Sequence, residues 1–480
     1  DGWQPEGARV RLAGEMTSSI AFRPDDPRVR RLNDRPLRRA GEFVLYWMQV
    51  FHRADDNAAL DHAIALANEL GVPCLAYEAL RPDYPHASDR LHTFVLEGAR
   101  DVAAGLERRG VAHAFFLPRS APEARGVVAR LARRACAVVS DDFPGFVVPA
   151  HHAAVAARAS CPYLVVDDCA VVPMALLANA EVGARTIRPK IARLLDEWLR
   201  PLAEVVPRVA PPRSLDLPFE PVSVGDAGVG ALVASCSVDH TVPPVESTRG
   251  GTGEAERRLL AFVRGPLRTY AIDRNDPARE STSGLSPYLH FGMISARRVA
   301  LEARAWAEGE SLDAFLEQLL VRRGLAYNFA RTRRDHATYG ALPAWARASL
   351  EAHACDPRYA DLSRDELEQG RTPDALWNAA MAELRERGTI QPYARMLWGK
   401  LPLTWMRRPE DAHAAVVHLN DRWALDGRDP DGYANVSWCF GLHDRPWPER
   451  AVFGTVRTMT SASARRKLDF DAYVARWAPA

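Results

Sequence analysis

The chain has 480 residues, more than one hydrophobic core usually holds, because cores stop growing at roughly 250–300 residues. Its formal net charge of +1 excludes a protein that binds nucleic acid through overall charge alone. The seven cysteines form no CxxC pair, so we predict neither a disulfide framework nor a metal site. No apolar run approaches the roughly 20 residues that span a bilayer. We therefore expect a cytoplasmic, two-domain protein that is not bound to a membrane.

The first part of the chain predicts an α/β domain. Residues 1–38 are polar and arginine-rich and are expected to form an N-terminal arm. Between 39 and 175, short apolar runs such as 43–50 alternate with amphipathic stretches such as 57–70. This alternation predicts a Rossmann-like domain, a parallel sheet with helices on both faces. No GxGxxG follows a strand, so both a docking role and a small-molecule crevice at the strand ends stay open.

The second part predicts helices. Residues 176–253 read as a connecting helix and a linker rich in proline and glycine. From 254 to 480 strand signals nearly vanish, and helical windows such as 312–326, 373–387 and 392–405 follow one another. This region is therefore predicted to be an all-α domain.

A short polar segment, 282–286 (TSGLS), precedes a helix start that contains aromatic residues. Hydroxyls and free N–H groups at such a place bind phosphate. The same segment, followed by Pro287, is also an ordinary capping turn. Both interpretations stay open.

Six of the twelve tryptophans fall between residues 377 and 447. Trp398 and Trp405 are seven residues apart, which predicts one face of a single helix. Indoles are easily oxidised, so a stacked series can pass electrons to a cofactor. The alternative is that they are large side chains filling a core.

The loop 426–432 concentrates three carboxylates and an arginine near Asn420. Its spacing does not match a calcium loop. It is either a solvated surface loop or a set of hydrogen-bonding groups around a buried polar ring. Arg395 is a candidate partner for Asp426, either as a structural salt bridge or beside a redox ring, where the pair would stabilise a developing negative charge.

Several segments together resemble the class II cyclobutane pyrimidine dimer photolyases of the photolyase/cryptochrome superfamily. They occur in the family's order and with similar spacing, although each one alone is a weak signal. They are RTIRPKI (185–191), LSPYLHFG (285–292), ISAR (294–297), FLEQLLVRRGLAYNF (315–329), LWNA (376–379), YARMLWGK (393–400), LDGRDPDGY (425–433), ERAVFG (449–454) and KLDFDAY (467–473). The resemblance implies the photolyase fold, an α/β antenna domain followed by an all-α FAD-binding domain, in a monomer. It also implies that the antenna domain can hold a deazaflavin or a folate.

The resemblance carries roles to individual positions of this chain. FAD would be held by Tyr270, Thr282, Ser283, Gly284, Leu285, Ser286, Arg395, Asn420, Asp426 and Asp429. Among these, Asn420 would face the flavin N5 edge, and Arg395 and Asp426 would form the ion pair near the isoalloxazine. The electron-transfer chain would be Trp398, Trp377 and Trp405. Gln318, Met396 and Trp438 would line the dimer pocket, and Gln318, Asn420, Arg395 and Asp426 would form the catalytic set.

The implied reaction is blue-light-driven repair of DNA. Reduced flavin would donate an electron to a dimer that has been flipped out of the duplex, and the electron would return after the ring splits. The implied partner is damaged DNA. Its phosphates would be bound by Arg331, Arg333 and Arg334 and by Arg465, Arg466 and Lys467, unless these two clusters are ordinary solvated faces.

Several residues depart from the family pattern. Gln318 stands where the family has a glutamate that contacts the dimer carbonyls, and glutamine cannot hold or deliver a proton. Gly324 replaces another glutamate, Gln391 and Pro392 replace His-Gly, and Asp431 replaces a small polar residue and is assigned no role. These departures favour a second hypothesis, a photolyase-like flavoprotein that no longer repairs dimers. It would be a cryptochrome-type photoreceptor or a flavoenzyme acting on a small substrate.

Overall fold

A computed structural model describes residues 25–212, 214–225 and 228–477. Its first half contains a six-stranded sheet. The strands are β1 (Val29–Arg31), β2 (Phe43–Met48), β3 (Cys74–Ala79), β4 (Ala112–Phe116), β5 (Ala135–Asp141) and β6 (Tyr163–Val166). Their order across the sheet is β1-β6-β5-β2-β3-β4. Strands β2 and β5 are buried along their whole length, as their uninterrupted apolar sequences predict for central parallel strands.

The sheet is parallel except at one edge. Strand β1 pairs antiparallel with β6, with Val29 opposite Val166 and Arg31 opposite Leu164. Residues 29–31 belong to the predicted arm, and three residues are too few to show a hydrophobic period. Residues 1–24 of that arm lie outside the described residues. The predicted parallel sheet is therefore extended by one antiparallel edge strand.

Helices cover both faces of this sheet. They are α1 (Ala58–Leu70), α2 (Asp89–Arg108), α3 (Val127–Ala132) and α4 (Val148–Ala156). Helix α1 shows why they begin and end where they do. The Asn57 side chain accepts hydrogen bonds from two N–H groups of its first turn, and Gly71 takes the left-handed conformation (φ 66°) that ends it.

The remaining helices form the second half. They are α5 (Ala184–Trp198), α6 (Val229–Ala234), α7 (Thr252–Arg264), α8 (Tyr270–Asp273), α9 (Ser286–His290), α10 (Ala296–Trp306), α11 (Glu310–Leu316), α12 (Arg323–Thr332), α13 (Ala344–Ala352), α14 (Arg364–Glu368), α15 (Ala375–Arg387), α16 (Pro392–Lys400), α17 (Pro409–Trp423), α18 (Pro430–Cys439), α19 (Ser461–Arg465) and α20 (Phe470–Trp477). A π-helical turn, Glu317–Arg322, joins α11 to α12. No sheet strand follows β6 in the described ranges, which confirms the predicted order of an α/β half and an all-α half. Within those ranges no helix has both the length and the hydropathy needed to cross a bilayer.

A buried ionic network connects the two halves. Asp168, just after β6, accepts hydrogen bonds from Arg53 and from Arg297 Nη1 of α10, the second at 3.0 Å. Arg297 also donates to Asp56 at 2.9 Å. Burial opposes ionisation of Asp168, but the two guanidiniums outweigh it and lower its pKa. Because burial of an unpaired charge is costly, the loop that follows β2 must meet α10 in this position.

We expect Asp168→Ala to lower the free energy of unfolding by about 3–5 kcal/mol, because it deprives two buried guanidiniums of a carboxylate. The exposed pair Asp55–Arg108 provides the control, and Asp55→Ala should change that free energy by less than about 1 kcal/mol. Urea unfolding of both variants measures the difference. Equal effects would mean that the network does not hold the halves together.

Candidate active site

A cavity of about 750 Å³ opens in the helical half. Its size is that of a site for a large cofactor or ligand. Twelve of the predicted site residues line it: Tyr270, Thr282, Ser283, Gly284, Leu285, Ser286, Gln318, Arg395, Met396, Trp398, Asp426 and Trp438. Residues from six separate stretches of sequence therefore meet around one space.

One end of the cavity is formed by the segment 282–286. Helix α9 begins at Ser286 without a side-chain cap, although the Ser283 hydroxyl accepts a hydrogen bond of 3.4 Å from the Leu285 N–H. Gly284 has φ 62°, and a Cβ there would come within 3.3 Å of Arg258 Nη1. Hydroxyls, a guanidinium and a close backbone approach together suit a phosphate group.

A buried ion pair forms another part of the wall. Arg395 donates two hydrogen bonds to Asp426, of 2.9 and 3.1 Å, and a third to the Asn420 amide oxygen. Burial would raise the pKa of Asp426, but Arg395 outweighs it and lowers that pKa. Asn420 lies behind Arg395 and not on the cavity surface in the described structure. The pair therefore presents a guanidinium and a carboxylate in fixed positions to the cavity, and Asn420 holds the guanidinium in place.

Three tryptophans lead away from this wall. Trp398 lines the cavity, and its buried indole N–H has no protein partner among the described residues. Trp377 stacks on it at 6.1 Å between ring centroids, and Trp405 meets Trp377 edge-on at 5.7 Å. The three rings form one continuous series of aromatic contacts.

The prediction that Trp398 and Trp405 share one helix is wrong. Helix α16 ends at Lys400, and Leu401–Thr404 form a 3₁₀ turn that contains Pro402. Proline has no N–H for a helical hydrogen bond, so the chain turns before Trp405. Trp377, on α15, connects the other two rings.

The predicted dimer pocket occupies a further part of the same wall. Gln318 lies on the π-helical turn, a backbone form that is often found at functional sites. Trp438, on α18, is covered by Arg322 at 5.0 Å from the ring centroid. Met396 follows Arg395 on α16 and completes this group.

The other departures from the family have structural explanations. Gly324 is buried in α12, and a Cβ there would come within 3.0 Å of the Ile191 Cδ1 on α5, so a larger residue would require this side chain to move. Gln391 caps α16 by accepting hydrogen bonds from the N–H groups of Tyr393 and Ala394. Pro392 is the first residue of that helix, where proline costs no intrahelical hydrogen bond.

Asp429 requires a correction. It was predicted to bind the cofactor, but it does not line the cavity in the described structure. Its carboxylate instead bonds His290 Nδ1 and the Tyr327 hydroxyl, each at 3.0 Å, and caps α18. Burial opposes its ionisation, but Arg323 and His290 outweigh burial and lower its pKa to about 2. Asp429 therefore fixes the start of α18 from behind the wall.

Asp431 is a cavity residue to which the sequence assigned no role. It lies in the first turn of α18 and lines the cavity. Burial, then repulsion by Asp429, raises its pKa to about 6. An acid two positions after another acid at a helix start was the available signal, but spacing does not show which of the two faces the cavity.

The DNA photolyase family profile matches residues 44–209. A deoxyribodipyrimidine photo-lyase of Methanothermobacter thermautotrophicus is 37% identical over 450 residues, which cover 94% of this chain and 97% of that protein. A deoxyribodipyrimidine photo-lyase of Oryza sativa is 38% identical, and the match covers 90% of this chain and 86% of that protein. The chain belongs to the DNA photolyase family.

The solved structures agree on the fold. An archaeal photolyase from Sulfolobus tokodaii, whose crystal structure contains two FAD molecules, superposes with a TM-score of 0.65 at 16% identity. The match covers 91% of this chain and 90% of that one, which confirms the photolyase fold. The curated relatives at 37% and 38% identity, which cover nearly the whole chain, show that it is a photolyase-like lyase.

The two cationic clusters of this photolyase-family chain lie away from the cavity lining. Arg331 pairs with Asp142 of the α/β half at 2.9 Å, and Arg333 pairs with Asp335 at 2.8 Å. Arg334, Arg465, Arg466 and Lys467 are exposed. The cavity has cations of its own that sequence reasoning missed, namely Arg258, Arg274, Arg279, Arg322, Arg387, Lys400, Arg457 and Arg476.

The lowered pKa of Asp429 predicts a pH dependence. A carboxyl with a pKa of about 2 in the folded state and about 3.9 unfolded stabilises fully above pH about 4 and loses this effect as pH falls toward 2. Asp429→Asn should therefore cost about 2–3 kcal/mol at neutral pH and should flatten the acid limb of the stability curve. Denaturant unfolding between pH 7 and 3 measures this, and Asp335→Asn, in an exposed ion pair, serves as control. An unchanged acid limb would contradict the role given to Asp429.

Proposed function

We propose that this chain is an FAD-dependent, class II-like photolyase that uses blue light to repair cyclobutane pyrimidine dimers in DNA. The observation that carries the proposal is the single cavity that combines a phosphate-type segment, a buried Arg–Asp pair and a tryptophan of a contacting series. The amino-acid similarity to deoxyribodipyrimidine photo-lyases along nearly the whole chain supports it.

The residues present fit FAD. The segment 282–286 and Arg258 would hold the pyrophosphate, because they offer hydroxyls, N–H groups and a guanidinium beside Gly284. The Arg395–Asp426 pair would lie against the isoalloxazine, and Tyr270 would pack nearby. FAD, when bound, supplies the light-driven electron that opens the dimer. Arg395 stabilises negative charge at the ring, and Asn420 keeps Arg395 in position.

The dimer would be held by Gln318, Met396 and Trp438. The Gln318 amide can donate a hydrogen bond to a pyrimidine carbonyl but cannot deliver a proton to it. Trp438 would provide an apolar face for a base that has left the stack, and Arg322, which also lines the cavity, lies 5.0 Å from the centroid of this ring. Arg334 and the cluster Arg465–Lys467 would contact DNA phosphates.

The tryptophan series would carry electrons inward to the cofactor. Trp398 is nearest the cavity, Trp377 is in the middle and Trp405 is at the far end. All three are buried, so each indole loses an electron in a fixed, water-poor environment. This series would keep FAD reduced between repair events.

A second candidate function is that of a photolyase-like flavoprotein without repair activity. Gln318 favours it, because the one side chain that the resemblance assigns to proton chemistry on the dimer does not titrate. A cryptochrome-type photoreceptor or a flavoenzyme on a small substrate would need the FAD site and the tryptophans but not a dimer pocket. An antenna deazaflavin or folate is compatible with both functions, and the absorption spectrum of the purified protein reveals it.

Repair is tested by illuminating a dimer-containing oligonucleotide with blue light in the presence of protein that carries reduced FAD. We expect restored thymines above the dark control. Gln318→Glu should raise the rate about fivefold, since a carboxyl in place of a neutral donor contributes about 1 kcal/mol more. Absence of light-dependent repair would reject the proposal in favour of the second candidate, and an unchanged rate in Gln318→Glu would reject the role of this position.

A separate prediction concerns Trp398→Phe. The variant should bind FAD normally, because phenylalanine keeps an aromatic wall, but it should abolish or greatly slow photoreduction of oxidised FAD. Loss of flavin absorbance under blue light with a thiol reductant measures this. Trp306→Phe, a 44% exposed tryptophan on α10, is the control. Normal photoreduction in Trp398→Phe would remove the electron-transfer role of the series.

A further inference from the structure

Asp431 differs from the other carboxylates of the cavity. Its backbone N–H donates to Asp429 at 2.8 Å, but its carboxylate accepts no hydrogen bond from any described residue. The other acids on the lining have partners. Asp426 bonds Arg395, Glu383 bonds the Tyr473 hydroxyl and the Gln391 N–H, Glu280 bonds Arg387, and Asp444 bonds Trp447 and its neighbour Arg445. Among the acids that line the cavity, Asp431 is therefore the one whose carboxylate has no hydrogen-bond partner in the described part of the chain.

Asp431 lines the same cavity as Arg395 and Asp426. Its charge interacts with Arg395 and Asp426, the ion pair proposed beside the isoalloxazine ring. The next residue, Gly432, packs so closely that a Cβ there would come within 3.2 Å of the Asn420 amide nitrogen. The charge of Asp431 thus interacts with Arg395 and Asp426, and the residue next to it packs against Asn420; the family resemblance places these three residues around the redox ring.

Charged groups on every packed element act on this carboxyl. On its own loop, Asp429 and Asp426 repel a negative charge, and Arg323 of α12 and Arg395 of α16 attract it. Burial and Asp429 outweigh the arginines, so the pKa lies near 6. Asp431 is mostly protonated at pH 5 and mostly ionised at pH 7, whereas the lowered pKa values of Asp426 and Asp429 keep those two ionised.

We infer that Asp431 is the proton donor that accompanies electron transfer to the ring of a bound flavin. With a flavin bound, an electron would pass from Trp398 to the ring. The O–H bond of Asp431 would break, and an N–H bond would form on the ring. The electron lost by the tryptophan series is replaced by an external thiol, and the carboxylate, stabilised by Arg395 and Arg323, takes a new proton from water in the cavity. The ionisable carboxyl that Gln318 lacks is thereby supplied from another helix, toward the cofactor and not toward the dimer.

This inference rests on FAD binding but not on dimer repair, so its test uses FAD-loaded protein without DNA. The protein is illuminated with dithiothreitol between pH about 5 and about 8, and the visible spectrum reports whether the ring has gained a proton with its electron. At low pH the wild type should show the spectrum of a ring that has gained both an electron and a proton. This spectrum should disappear as the pH rises, with a midpoint near pH 6. In Asp431→Asn photoreduction should persist while this pH-dependent step is lost.

Two further variants keep the outcome clear. Asp431→Ser, which restores a small polar residue, should behave as Asp431→Asn. Glu383→Gln removes another cavity carboxyl whose pKa is raised by burial, and it should keep the step. The inference is overturned if both Asp431 variants retain the step, or if Glu383→Gln also loses it. Failure of the wild type to bind FAD would overturn both proposals, whereas a normal spectral step without dimer repair would overturn only the repair function.

Discussion

Four charged side chains are buried in and beside the loop that joins α17 to α18, and all of them have to be paired for the cavity to form. They are Asp421, Asp426, Arg428 and Asp429. Asp421 accepts a hydrogen bond from the Arg428 N–H and another from the Tyr433 hydroxyl, each at 2.9 Å. Arg428 has a φ of 64°, a conformation that costs about 1 kcal/mol or more in a residue with a Cβ. The loop tolerates that strain because its conformation gives the buried carboxylates Asp421, Asp426 and Asp429 their hydrogen-bond partners.

This loop sets the direction of α18 and hence of the wall that α18 contributes. Asp429 points back toward His290 and Tyr327, and Asp431, two residues later, points into the cavity. The helix then carries Trp438 to the region of Gln318. The same pairing holds Arg395 against Asp426, so the electrostatics of the proposed ring site and the shape of the proposed dimer pocket depend on one buried network.

The sequence predicts the large features well, because they rest on long periodic patterns. The alternating runs of the α/β half and the helical windows of the second half are examples. The misses have local causes. Strand β1 is too short for a period, and Pro402 ended a helix whose spacing suggested that it continued to Trp405. The roles of Asp429 and Asp431 depend on which way two side chains leave the first turn of α18. That direction is decided by Arg323 and His290, which are more than 100 residues away in sequence.

The structure also changes how strongly the departures from the family pattern argue against dimer repair. Gly324 allows α12 to pack on Ile191, and Gln391 and Pro392 form a sound start for α16, so these three residues are explained by helix packing and capping. Only Gln318 alters the chemistry that the dimer pocket can perform. One glutamine that still donates a hydrogen bond is a weaker argument against repair than four altered residues. The cavity also keeps a titratable acid, because burial raises the pKa of Asp431 to about 6.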